Sequence, residues 1–182
     1  MLFLEGTPLN WVYRIVTGTL KMVKDYENGG ERILGVLSDG DDVALLAALQ
    51  GKDHYIANAI AMTDVILVQS SKEEVLSTYR SYPDYREMCM GCALSRSHFF
   101  QFQTAQSSEL DVNQKIIAML QNLALKYGRK EGSKTTLLLP FTKTVLADLI
   151  GIRRETLSRH LGLLQDQGKI KVDGNRYVLE NA

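Results

Sequence analysis

The apolar positions of the first third of the chain come in short runs rich in β-branched and aromatic residues. The runs are Trp11 to Val16, Thr19 to Val23, Arg32 to Leu37, Tyr55 to Met62 and Val65 to Val68. Turn-forming clusters separate them: Glu5-Gly6-Thr7-Pro8, Gly18, Asn28-Gly29-Gly30, Asp39-Gly40-Asp41-Asp42 and Gly51-Lys52-Asp53. Short strands at this spacing predict a β barrel or sandwich. Val43 to Leu49, rich in Ala and Leu, breaks the pattern and predicts a short helical turn.

The period then changes. Ser71 followed by Glu74 is a capping-box signature, and it predicts a short helix to about Tyr79. Pro83-Asp84 opens a long helix. Along it Tyr85, Met88, Cys92, Ser95, Phe99, Phe102 and Gln106 step by three and four residues, which is an a/d seam. Such a face lies on its own barrel or pairs with a second copy. A helix linking two domains has little else to bury, so self-association is the expectation. Ser107 to Asp111 reads as a hinge, and a helix follows with Val112, Ile116, Met119, Leu120, Leu123 and Tyr127 on one face and Gly128 as its stop. Arg129 to Lys134 reads as a polar loop and Thr135 to Leu139 as a strand ended by Pro140.

The following stretch has a more specific spacing. Thr142 can cap a helix from Lys143 to Ile150, Gly151 supplies a turn, and a second helix runs from Arg153 to about Gln167, with Gly168 beyond it. A helix-turn-helix needs a small residue where its helices cross and a turn residue four positions on, and Ala147 and Gly151 meet both needs. Leu146, Ile150, Ile152, Leu157, Leu161 and Leu164 fall on the shared core. Lys169 to Leu179 then reads as a hairpin around Asp173-Gly174-Asn175, a wing beside the two helices.

Charge fits this division. The whole chain is neutral, but residues 1–110 carry nine basic and fourteen acidic side chains, against twelve and seven in 111–182. A basic C-terminal part suits a nucleic-acid reader. The outer face of the second helix presents Arg153, Arg154, Glu155, Ser158 and Arg159 near its N-terminus. Arginine grips guanine O6 and N7, glutamate accepts from cytosine N4, and serine meets either type of edge. Glutamate on a phosphate-facing surface is electrostatically unfavourable, so Glu155 argues for base reading by Arg154, Glu155, Ser158 and Arg159. Thr142, Lys143, Arg153, Lys169, Lys171 and Arg176 are the candidate phosphate contacts, which orient the protein without specifying sequence.

The order of these parts resembles the Crp/Fnr family of transcription regulators. Glu5-Gly6, Val12 to Gly18 and Gly40-Asp41 look like that family's turn and strand markers, Pro83-Asp84 like the start of its long helix, and Arg154 to Arg159 like its reader helix. The resemblance implies an α+β fold: a jelly-roll β-roll of cyclic-nucleotide-binding type over 1–82, a dimerisation helix and hinge over 83–110, and a winged helix-turn-helix over 111–182. Members of the FNR type read DNA with a Glu, Ser and Arg spaced like Glu155, Ser158 and Arg159. Members of the cAMP-receptor type have an Arg placed like Arg154. The implied partners are a second copy, a palindromic double-stranded operator with TGA-containing half-sites, and RNA polymerase.

Four departures bear on the effector. The chain begins later than is usual in the family, which implies a shortened roll. The cassette positions that would hold a ribose and a cyclic phosphate look like Leu45, His54 and Tyr55, and the adenine position falls near Phe99-Phe100-Gln101. An apolar Leu cannot bind a ribose hydroxyl, so cAMP is not expected. Leu45, Leu46, His54 and Tyr55 either line a pocket for an apolar ligand or fill it. The N-terminal cysteines of the iron–sulfur type are missing, and Cys89 and Cys92 read as small apolar packing residues more than as a thiol sensor. His160 stands at a normally apolar place, which predicts a partly buried, hydrogen-bonded histidine whose protonation weakens the DNA-binding domain.

The remaining features narrow the function class. There is no G-x-S-x-G, P-loop or H-E-x-x-H motif. His54 is the only histidine of the β part, too few for a metal cupin. No enzyme and no cofactor is expected. The N-terminus lacks a basic segment followed by a long apolar one, and no apolar run approaches the roughly 18 residues of a membrane span. A cytoplasmic regulator with no membrane contact is therefore expected, binding DNA without a small effector. The alternative is gating by an apolar ligand, haem or redox state, with His54, His98, Cys89 and Cys92 as the candidate haem ligands.

Overall fold

The computed structural model describes residues 1–25, 29–105 and 111–180. The chain forms two compact units, residues 1–97 and 98–182. In the first, the strands are β1 (Trp11–Thr17), β2 (Leu20–Asp25), β3 (Glu31–Leu37), β4 (Asp42–Val43), β5 (Asn58–Ala61) and β6 (Ile66–Ser71). They build two antiparallel three-stranded sheets, in the orders β4-β1-β6 and β3-β2-β5. Leu9, Val12, Ile15, Leu20, Leu37, Val43 and Leu45 form the core of the roll.

Two elements differ from the sequence expectation. The strand expected over Tyr55 to Met62 shortens to Asn58–Ala61. Tyr55 is drawn off by the N-terminal segment: its N–H donates to the Thr7 carbonyl, its carbonyl accepts from Gly6, and its ring stacks on Phe3 with centroids 3.6 Å apart. The expected turn over Val43 to Leu49 splits into β4 and a short helix, α1 (Leu45–Leu49), joined at Ala44. Ala44 has φ +68°, the one non-glycine residue with positive φ among the described residues.

Helix α2 (Lys72–Ser81) begins with the predicted capping box. The Ser71 side chain accepts from Glu74 N–H, and Ser71 N–H donates to the Glu74 carboxylate, holding that carboxyl below its usual range. Helix α3 (Pro83–Ala105) follows. Here the expected seam is corrected. Cys89 is only 2% exposed in the core of the roll, and Tyr85 and Cys92 pack against that core. The seam residues share one side of α3, but that side is turned toward the chain's own roll: Tyr85 and Cys92 pack on its core, and Met88 and Ser95 lie at the exposed flank. Phe99 is half-buried with its ring edge against Phe100, and the Phe102 side chain lies outside the described residues, as do positions 107–110 of the hinge. Burial pushes both thiols upward, which disfavours the reactive thiolate. An ion pair sits beside α3: Arg14 grips Asp42 through Nε and Nη2 at 2.8 and 2.6 Å, and Nη2 is 3.4 Å from Met88 Sδ.

The second unit contains α4 (Val112–Tyr127), β7 (Gly128–Glu131), β8 (Lys134–Leu138), α5 (Lys143–Ile150), α6 (Arg154–Asp166), β9 (Ile170–Asp173) and β10 (Arg176–Glu180). Helix α4 starts at a second capping box, Asp111 with Gln114, and buries Ile116, Met119, Leu120 and Leu123. Gly128 ends α4 in extended conformation and opens β7; a Cβ there would strike the Ala124 carbonyl. The expected polar loop over 129–134 is instead the β7–β8 hairpin, turning at Gly132 with φ +61°. Its residues are polar because β7 is an edge strand, not because they are unstructured. The sheet order is β7-β8-β10-β9, and its buried face carries Leu137, Ile170, Tyr177 and Leu179.

The backbone at Ala44 yields a stability prediction. A Cβ residue in the left-handed region carries a penalty of about 1 kcal/mol that glycine does not. Ala44→Gly is expected to raise the melting temperature by several degrees, followed by circular dichroism. A lower melting temperature would mean that Ala44 is not strained.

Candidate nucleic-acid interface

The helix-turn-helix is assembled at the crossing of α5 and α6. Ala147 is 1% exposed and Gly151 takes φ +79°. The Gly151 N–H is shared between the carbonyls of Ala147 and Asp148, at 2.9 and 3.1 Å, and Ile152 N–H also donates to Ala147, at 3.0 Å. Three N–H···O contacts on the last turn of α5 fix the angle at which the chain leaves it. Leu146, Leu157, Leu161 and Leu164 are buried as expected. Ile150 and Ile152 are half-buried at the rim, and Leu149, absent from the sequence reading, takes a core place. Thr142 stands at the N-cap of α5, but its side chain makes no cap hydrogen bond.

Helix α6 turns its apolar side inward and its polar side out. Arg153, at the N-cap, and Arg154, Glu155, Ser158 and Arg159 are all exposed. Among the described residues, no ion pair holds Arg154, Glu155 or Arg159. Their charges therefore face solvent and are not neutralised within the helix. No side chain caps α6 either, so the positive end of its dipole lies beside Arg153 and Arg154. The arrangement can accept an anionic backbone at the helix start and offer both donors and an acceptor to base edges.

The wing is the hairpin of β9 and β10, with Arg176 opposite Asp173 and Val178 opposite Lys171. Strand alternation puts Lys171 and Arg176 on the sheet face away from buried Ile170 and Tyr177. Lys169, Lys171 and Arg176 are exposed, as is Thr142, while Lys143 is half-buried. The second unit thus presents the polar face of α6, a basic wing and the start of α5.

His160 is half-buried, with Nδ1 2.9 Å from Asn113 Oδ1. The amide oxygen requires Nδ1–H as donor, and that N–H is present in both the neutral and the charged ring.

The four positions read as an effector pocket sit in different settings. Leu45 is core, Leu46 is half-buried, and His54 is exposed. Tyr55 is buried with its Oη donating to the Trp11 carbonyl at 2.9 Å, and burial pushes its phenol up to about 12. An open cleft of about 390 Å³ does lie beside His54 and Tyr55, but Glu5, Lys24, Lys52 and Asp53 line it, not the two leucines. Among the described residues no three His, Cys, Asp or Glu side chains gather as a metal site.

Comparison with known proteins agrees with this layout. Residues 1–82 match the cyclic nucleotide-binding domain family, and residues 114–182 the Crp-like helix-turn-helix domain family. The anaerobic regulatory protein of Pasteurella multocida is 28% identical over 181 residues, all but the whole of this chain and 65% of that protein. The fumarate and nitrate reduction regulatory protein of Escherichia coli is 26% identical over 180 residues, 99% of this chain and 71% of that protein. The chain thus spans about two thirds of the length of these relatives. Among solved structures, FixK2 from Bradyrhizobium japonicum superposes with a TM-score of 0.80 at 17% identity, covering 100% of this chain and 87% of that one. A CooA mutant from Carboxydothermus hydrogenoformans gives 0.82 at 19% identity, covering 100% and 79%. With a cyclic nucleotide-binding domain followed by a Crp-like helix-turn-helix, the chain belongs to the Crp/Fnr family of transcription regulators.

Proposed function

We propose that this chain acts in the cytoplasm as a homodimeric, sequence-specific DNA-binding regulator that does not respond to cAMP. It binds a palindromic promoter site with TGA-containing half-sites and from there contacts RNA polymerase. The observation that carries the reading is α6: Arg154, Glu155, Ser158 and Arg159 stand exposed over buried Leu157, Leu161 and Leu164. Thr142, Lys143, Arg153, Lys169, Lys171 and Arg176 supply the phosphate contacts, which set affinity and its salt dependence. For a two-fold dimer the half-site centres lie about one helical turn apart, roughly 10 bp. Insensitivity to cAMP is supported by Leu45 and Tyr55, which put core-packed side chains where the family's cassette places ribose and phosphate partners.

The dimer contact is assigned to the outward face of α3. Opposite buried Cys89 this face carries Met90, 56% exposed, Gly91, and Leu94, 63% exposed. A Cβ built on Gly91 meets nothing within 4 Å among the described residues, so none of them asks for a glycine in mid-helix. A second helix lying close across it does. Met88 and Ser95, from the seam read in the sequence, flank this face.

Selection of sites from random duplex DNA by the full chain, with no small molecule added, tests the function; enrichment of no sequence by folded protein would refute it. On the selected site, Arg159→Ala is expected to lose about 1–3 kcal/mol per half-site and relax one base position. Lys171→Ala should weaken all sequences alike and lower the salt slope. Equal binding by Arg159→Ala and wild type would remove α6 as the reader. Leu94→Asp should weaken self-association by about 3 kcal/mol, since it buries a charge against its own copy. Light scattering reads this directly, and an unchanged molar mass across a dilution series would move the interface elsewhere.

A further inference from the structure

The second unit contains six glycines, and five have a structural reason inside the chain. Gly132, Gly151, Gly168 and Gly174 have positive φ, and a Cβ at Gly128 would strike the Ala124 carbonyl. Gly162 has neither reason. It lies within α6 (Arg154–Asp166), in ordinary helical conformation and exposed, and a Cβ built on it meets no atom within 4 Å. Glycine in a helix interior is less stable than alanine, and here the protein gains nothing in return.

Its place on the helix supplies the reason. Residues 155, 159 and 162 follow one another at intervals of four and three, so Gly162 continues the exposed line of Glu155 and Arg159. It stands about 4.5 Å further along the axis than Arg159. When a reader helix enters with its N-terminal residues at the base edges, the positions that follow pass the groove wall. A helix with its side chains is about 10–12 Å across and the major groove is about 12 Å wide, so clearance at the wall is small. The side chain missing at Gly162 is missing where the fit is tightest.

We infer that Gly162 is a positioning residue for DNA recognition: the sugar–phosphate strand lining the groove packs directly on the backbone of α6 there. This lets Glu155, Ser158 and Arg159 reach the base edges. The inference rests on the reading of α6 as the reader helix. A methyl group at 162 holds the helix out of the groove and lengthens every base contact, although it clashes with nothing in the free protein.

The test compares wild type, Gly162→Ala, Gly162→Leu and Arg159→Ala as full chains, by thermal melting and by titration with a duplex carrying two inverted TGA-containing half-sites. Gly162→Ala is expected to melt at least as high as wild type, yet bind about tenfold or more weakly, the scale of one lost base contact. Gly162→Leu should bind more weakly still. A rise in stability with a fall in affinity is not what a merely structural glycine gives. If both Gly162 variants bind like wild type while Arg159→Ala is impaired, the inference falls and the reader helix stands. If Arg159→Ala is silent as well, both fall.

Discussion

The close crossing of α5 and α6 is the constraint on which the rest of the second unit depends. The two helices pack on each other there, and buried Ala147 of α5 adds no side chain beyond Cβ to hold them apart. Gly151 then turns the chain in a backbone conformation that a larger residue adopts only with strain. With the angle between the helices set, Leu157, Leu161 and Leu164 have one place to go, and the arginines opposite them have no option but solvent. The exposed polar face of α6 is thus a by-product of the buried one.

In the first unit, one face of α3 is committed to the roll through Cys89, Tyr85 and Cys92, with the Arg14–Asp42 pair beside it. That commitment decides what the helix has left to offer. An exposed ion pair contributes little by itself. Asp42 is largely screened from solvent, however, and its bidentate grip fixes the long Arg14 side chain next to Met88. Packing against the roll and the outward apolar residues are therefore two sides of the same helix, not competitors for one side.

Local chemistry was well written in the sequence. The capping box at Ser71 and Glu74, Pro83 at the start of α3, the Ala147/Gly151 spacing and the Gly174 turn are each read from two or three neighbouring residues, and each is formed. The failures required knowledge of distant partners. Tyr55 left its strand because Phe3, Gly6 and Thr7 claim it across the roll. On α3 an apolar seam reads the same whether its own roll or a second copy covers it, and only the folded roll shows that Tyr85 and Cys92 pack on its core. The β7–β8 hairpin was hidden because polarity on an edge strand looks like polarity in a loop. Among the candidate site residues, the exposed side chains of α6 stood out because their chemistry differs from the leucines behind them. Gly162 did not, since an absent side chain says nothing until the surrounding space is known.

The sheet order β7-β8-β10-β9 has a consequence for how such a protein tolerates crowding. Its two edges are the four-residue strands Gly128–Glu131 and Ile170–Asp173, which carry Arg129, Lys130, Glu131, Lys171 and Asp173. Every open edge is a template for another strand, and long apolar edges recruit neighbours into aggregates. These edges are too short and too charged to extend. Molecules gathered at high local density can meet edge to edge and part again, so the sheet beside α6 stays four strands wide.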